Sequence, residues 1–271
     1  MNGSAVNGTV VNGTGATDGR SVAARLFAIL DAFTVPPASS SLSLTAIADR
    51  AGLPLSTTHR LVAEWVGWGG LSRQADGRYA LGLRLWELGV QAPTARDLRA
   101  VALPHLEDLF EVSREHVHLA ILDGHDALYV EKLSGHSPVP VISRVGGRLP
   151  LHSTGVGLVL LANAPSELVD AYLSTSLTGY LPNTVTSPDL LRARLAEIRA
   201  SGFATMSEEM TPGSSSVAAP IRDRSGRVVA AVSIVSRTTG TRDMAGEHAV
   251  RLAANGISRA LGYRRAEGRN G

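Results

Sequence analysis

Two amphipathic patterns separated by only three residues constrain this chain more than any other feature. "SLTAIADRAG" sets Leu44, Ile47, Ala48 and Ala51 on one helical face, and Gly52 stops the helix. A second helix starts almost at once in "LPLSTTHRLV". At ~100° per residue, Thr58, Leu61, Val62 and Trp65 gather on one side of it. Ser56, Arg60, Ala63 and Gly67 point the other way, with His59 at the flank. Ser56 is the expected N-cap. The outward face is small and polar with one cation, whereas a merely solvated helix carries several long charged side chains. Small residues permit close approach to a surface, and a major groove accepts a helix in this way.

The flanks extend the pattern. Upstream, "SVAARLFAILDAF" repeats Val22, Leu26, Ile29, Leu30 and Phe33 at helical spacing, until Pro36 and Pro37 end it. Downstream, Asp76-Gly77 is a hairpin signal between Leu71 and Arg73 on one side and Tyr79 and Leu81 on the other. Three helices and a ribbon over residues 21–83 are the layout of a winged helix-turn-helix. The expected contacts to double-stranded DNA are Ser56, Thr57, His59 and Arg60, with Arg73 and Arg78 supporting the wing along the backbone.

The rest of the chain changes character. A linker helix is expected over 84–95, with Pro93 as a hinge before "TARDLRAVALPHLEDLFEVS". "HVHLAILDGHDALYVEKL" reads as a hairpin with Val117, Leu119 and Ile121 alternating before Asp123-Gly124. "STGVGLVLLANA" is a short apolar helix. "SPDLLRARLAEIRASG" is an amphipathic one, with Pro188 in its first turn, a Leu191-Leu195-Ile198 stripe and Gly202 as its stop. A hairpin turning at Ser225-Gly226 and a closing helix follow. The expected class is α+β, with a sensor domain over 96–263. Residues 1–20 and 264–271 are expected to be flexible tails.

Composition removes several alternatives. The chain has 271 residues and no cysteine, which excludes disulfides and thiolate metal sites. No apolar run approaches the ~20 residues that span a bilayer. The start, "MNGSAVNGTVVNGTGATDGR", lacks the basic and apolar regions of a signal peptide. A cytoplasmic protein with no membrane partner is therefore expected. Net charge is +2, and Lys132 is the only lysine among arginines, which suit phosphates and base edges.

Chemistry of other kinds finds weaker support. His116 and His118 share a strand face, and His125, His136 and His152 could add metal ligands, yet no second pair has a recognised spacing. His118 is better read as a pocket or packing residue. "GSSSV" lacks a G-x-S-x-G elbow. Glu208 and Glu209, taken as adjacent strand residues, would face opposite ways and serve poorly as an acid–base pair. No catalytic residue, metal or cofactor is expected. A ligand-binding module with a degenerate helix-turn-helix remains open.

In order and spacing, "LTAIADRAGLPLSTTHRLV", "DGRYALGLRLWELG", "HVHLAILDGHDALYVEKL", "LPLHSTGVGLVLLA" and "SEEMTPGSSSVAAPIRDRSGRVVAAVSIV" resemble IclR-family bacterial transcriptional regulators across residues 21–262. The resemblance implies a winged helix that binds an operator as a dimer, a linker helix, and a GAF-like α/β domain that senses a small carboxylate. It also implies homodimers or dimers of dimers, and most often repression. It places the effector at the helix start formed by Thr154, Gly155 and Val156, where free N–H groups suit a carboxylate. Met206 stands where some relatives have aspartate, and Ser216 where some have cysteine. Ser233 keeps a family serine, and Val235 replaces a second. With His118, these residues make the expected effector site. Met206 and Val235 make it less polar, which points to an aromatic carboxylate rather than a very small oxoacid.

Overall fold

The computed structural model describes residues 20–35, 39–91, 93–134, 139, 141–238 and 244–264. The chain divides between residues 91 and 92 into two compact units. Pro36, Pro37, His136 and most of both expected tails lie outside the described residues. Arg20, assigned to the tail, instead donates to the carbonyls of Ala51 and Gly52.

The first unit runs α1 (Val22–Asp31), α2 (Leu44–Ala51), α3 (Leu55–Trp68), β1 (Leu71–Arg73), β2 (Tyr79–Leu81) and α4 (Leu83–Gly89). Ser21 and Ser43 cap α1 and α2 by accepting from Ala24 and Ala46. Gly52 ends α2 at φ +61°, a left-handed conformation that costs glycine little. Ile29, Ile47, Leu61, Val62 and Leu71 are fully buried together, each worth about 1.5–3 kcal/mol of transfer free energy. Thr58 is buried among them, and the Trp65 indole donates to the Leu26 carbonyl, so the packing side of α3 is as expected. Val22 is not: it lies 53% exposed in the first turn of α1, two turns before Ile29 reaches the core.

Ser56 does not cap α3. Pro54 holds the N-cap position, and its carbonyl accepts from both the backbone N–H and the hydroxyl of Thr58. Helix geometry begins one residue before Ser56, which leaves its hydroxyl pointing out of the first turn. β1 and β2 pair antiparallel, Leu71 opposite Leu81, around the Asp76-Gly77 turn. The expected linker over 84–95 is not one helix. α4 ends at Gly89, and Pro93, which has no N–H to continue a ladder, begins the next helix.

The second unit holds α5 (Pro93–Ser113), β3 (His116–Asp123), β4 (Asp126–Leu133), β5 (Arg148–Pro150), α6 (Gly155–Ala162), α7 (Ser166–Leu173), α8 (Pro188–Ser201), β6 (Ala204–Ser207), β7 (Ser214–Arg222), β8 (Val228–Arg237) and α9 (Met244–Ala260). Six strands form one antiparallel sheet in the order β5-β4-β3-β8-β7-β6. Pleat parity sorts its faces. Val117, Leu119, Val232 and Ile234 pack with α5 and α9. Ala120, Ala218 and Ala231 face the other way, toward α6 and α8. Those alanines let α6 lie close to the sheet, and every residue of α6 is buried. The α8 stripe of Leu191, Leu195 and Ile198 covers its far side.

Candidate functional site

Two surfaces carry the residues of interest. On α3, Ser56, His59, Arg60, Ala63 and Gly67 are exposed, and Thr57 is half-buried. Ser56, His59 and Arg60 make no side-chain hydrogen bond or ion pair among the described residues. Glu64, missing from the sequence reading, is exposed one turn beyond Arg60 on the same face. Its carboxylate repels phosphate but can accept from a cytosine amino group.

The wing arginines differ. Arg78 donates through Nε to the Ser41 hydroxyl at 3.0 Å and through its guanidinium to the Ser41 carbonyl at 2.8 Å. It ties the ribbon to the loop before α2. Arg73 is exposed, with no such partner among the described residues.

The second surface is a cavity in the second unit. Sheet register builds its floor. Met206 pairs with Ser216 and Ser216 with Val235, while His118 pairs with Ser233 in the neighbouring row. The start of α6 forms one wall with Thr154, Gly155 and Val156, so all eight residues singled out from the sequence line this one cavity. Gly155 lies close to the sheet: a Cβ there would stand 2.7 Å from the Ser216 hydroxyl, which would have to turn away.

The donors are specific. Thr154 is the N-cap, and its hydroxyl is occupied, donating to the Pro150 carbonyl and accepting from the Gly157 N–H. The N–H groups of Gly155 and Val156, in the first turn, have no intrahelical acceptor. The hydroxyls of Ser153 and Ser216 are buried without a partner among the described residues. Ser153, just before the N-cap, was not among the residues expected from the sequence.

Among the described residues no cationic side chain lines the cavity. Burial, with smaller repulsion from Lys132 and His116, pushes His118 down to about 3, so it is neutral near pH 7. Its Nε2 lies 2.8 Å from the Ser143 hydroxyl. Burial likewise raises the Tyr129 phenol, which stays protonated. Val141, Leu149, Met206, Met210 and Val235 supply apolar wall. Such a site holds an anionic head by hydrogen bonds and the helix dipole, and an apolar body by burial.

The histidines serve other contacts. His116 and His118 do share a face, with rings parallel and 6.4 Å apart, but His116 Nε2 meets the Val139 carbonyl. His152 lies between the Tyr172 hydroxyl and the Thr178 carbonyl. Among the described residues no group of three His, Asp or Glu could hold a metal. Glu208 and Glu209 do not alternate on a strand, because β6 ends at Ser207 and Glu208 adopts φ +51°. Glu209 is buried in a bidentate ion pair with Arg194, both contacts at 2.7 Å. Among the described residues no helix is long and apolar enough to cross a membrane.

Comparison with known proteins covers both units. Residues 22–75 match the IclR helix-turn-helix domain, and residues 90–259 match the bacterial transcriptional regulator IclR C-terminal domain. The chain is similar to the HTH-type transcriptional regulator XynR of Escherichia coli strain K12, 35% identical over 88% of this chain and 96% of the relative. It is 33% identical to the transcriptional repressor IclR of the same strain, over 77% of this chain and 78% of the relative. Among solved structures, an IclR homolog from Microbacterium hydrocarbonoxydans complexed with 4-hydroxybenzoate is 39% identical, covers 89% of this chain and 99% of its own, and has a TM-score of 0.83.

Proposed function

The chain belongs to the IclR family of bacterial transcriptional regulators, which are not enzymes, and we propose that it represses its targets as a homodimer released or tuned by an aromatic carboxylate. In this reading α3 enters the major groove and presents Ser56, Thr57, His59 and Arg60 to base edges and phosphates. Arg73 contacts the flanking backbone, while Arg78 holds the wing in shape through Ser41. The exposed Leu81, Leu83, Trp86 and Leu88, 49–78% accessible, support a self-association surface around α4.

The observation that carries the effector reading is the pair of unpartnered buried hydroxyls, Ser153 and Ser216, beside the open N–H groups of α6. A carboxylate there satisfies groups otherwise costly to bury. Met206, Leu149 and Val235 favour a ring behind it, and a similar protein binds 4-hydroxybenzoate. Ligand acts by differential affinity for alternative dimer or tetramer arrangements that space the reading heads differently.

Calorimetry with 4-hydroxybenzoate, glyoxylate and pyruvate tests the effector. Tight binding of the aromatic acid alone is expected; tight binding of the small oxoacids alone would sink the reading. Gel shift on the protein's own upstream region at two salt concentrations tests DNA binding. Loss of the shift as salt rises is expected, whereas no shift at low salt would leave a sensor module without DNA binding.

A further inference from the structure

The cavity has two ends of opposite hydrogen-bonding character. Donors crowd one end: the N–H groups of Gly155 and Val156 and the hydroxyls of Ser153 and Ser216. Glu208 lines the same cavity elsewhere, and the sheet register says where. Met206 pairs with Ser216, and the Glu208 N–H donates to the Ser214 carbonyl at 2.8 Å. Glu208 therefore lies opposite Ser214, past the Met206–Ser216 pair and away from Ser216 and Ala218, against which Gly155 packs.

Glu208 is held for presentation. It adopts φ +51°, uncommon for a residue with a Cβ. Its Oε1 accepts from the Gly213 N–H at 2.8 Å, which closes the loop between β6 and β7. Its Oε2 has no partner among the described residues. Glu209 next to it is different, because both of its oxygens are taken by Arg194.

We infer that Glu208 determines effector specificity. Its open oxygen accepts a hydrogen bond from a hydroxyl or amino group opposite the ligand's carboxylate, and its charge repels a second carboxylate at that place. This rests on the reading that the cavity holds an aromatic carboxylate. The ligand class narrows to aromatic acids with a donor substituent across the ring.

Calorimetry on the full chain with benzoate, 4-hydroxybenzoate and terephthalate tests it. A hydrogen bond to a charged group is worth about tenfold or more in affinity, so 4-hydroxybenzoate should bind about tenfold tighter than benzoate, with terephthalate weakest. Glu208→Gln keeps an oxygen for Gly213 but removes the charge and the open acceptor. Its thermal melting should match the native chain, its preference for 4-hydroxybenzoate should shrink to about threefold or less, and terephthalate should gain. Equal affinity of the native chain for benzoate and 4-hydroxybenzoate overturns the role of Glu208 and leaves the aromatic-acid reading standing. An unchanged ranking in a folded Glu208→Gln variant does the same. No binding of any of the three overturns the aromatic-acid reading, and the role of Glu208 falls with it.

Discussion

The face of α3 and the cavity beside α6 both suit anions, and they use opposite physics. On α3 the cation is exposed: Arg60 stands in solvent among small side chains, with Arg73 on the wing. In the cavity no cation is present among the described residues, and backbone N–H groups and hydroxyls wait in a buried setting. A nucleic acid is a long array of charges, so exposed guanidinium groups gain by displacing its counterions. A single carboxylate can be desolvated and held by neutral donors, without the cost of burying a second charge. The difference teaches that anion recognition here is set by how much water each site can exclude.

Salt should separate the two most strongly. Raising it from 50 to 200 mM should weaken operator binding by about a thousandfold if a dimer makes six or more phosphate contacts. Affinity for 4-hydroxybenzoate, measured by calorimetry in the same buffers, should change by less than about threefold, since buried interactions are poorly screened. Similar salt slopes would break the comparison.

Arg60→Ala sharpens it from one side. Operator affinity should fall by about tenfold to a hundredfold in a gel shift, with 4-hydroxybenzoate affinity intact. Equal loss of both would make Arg60 structural. Gly155→Ala works from the other side. Its Cβ would stand 2.7 Å from the Ser216 hydroxyl and displace that donor. We expect about a tenfold loss of 4-hydroxybenzoate affinity, with operator binding of the ligand-free protein unchanged.

The smallest effect is on stability. His118 is buried neutral, with its pKa held near 3 in the fold against 6.5 in the unfolded chain. The unfolded state therefore binds the extra proton between those values. The contribution is fully present above about pH 6.5 and is lost as pH falls toward 3. Melting temperatures should drop between pH 7 and pH 5, and less so in a His118→Asn variant. An equal drop in both would remove His118 from the account.

Local signals made the first unit legible. Gly52 and Asp76-Gly77 act within a few residues, and the apolar faces of α2 and α3 follow from period alone; the capping serines Ser21 and Ser43 were not read. Ser56 misled because Pro54 competes for the same cap. Glu64 was overlooked because small neighbours dominated that face. In the second unit seven of the eight cavity residues came from family resemblance and helix-start chemistry, and His118 from its place on a strand; pleat parity then explains why His118, Met206, Ser216, Ser233 and Val235 meet. Tyr129 and Glu208 had no local signal for a place in the cavity, since that place depends on strand pairing across distant segments. The helix α7 and strand β5 were not expected for the same reason, each being short and fixed by what it packs against, and the strand taken to include Glu208 and Glu209 ends at Ser207.

The most direct test is a crystal structure of the full chain with 4-hydroxybenzoate. The carboxylate should lie within hydrogen-bonding distance of the Gly155 and Val156 N–H groups and the Ser153 and Ser216 hydroxyls, with its ring against Met206 and Val235. A carboxylate bound by an arginine or Lys132, or a ligand outside this cavity, would contradict the account.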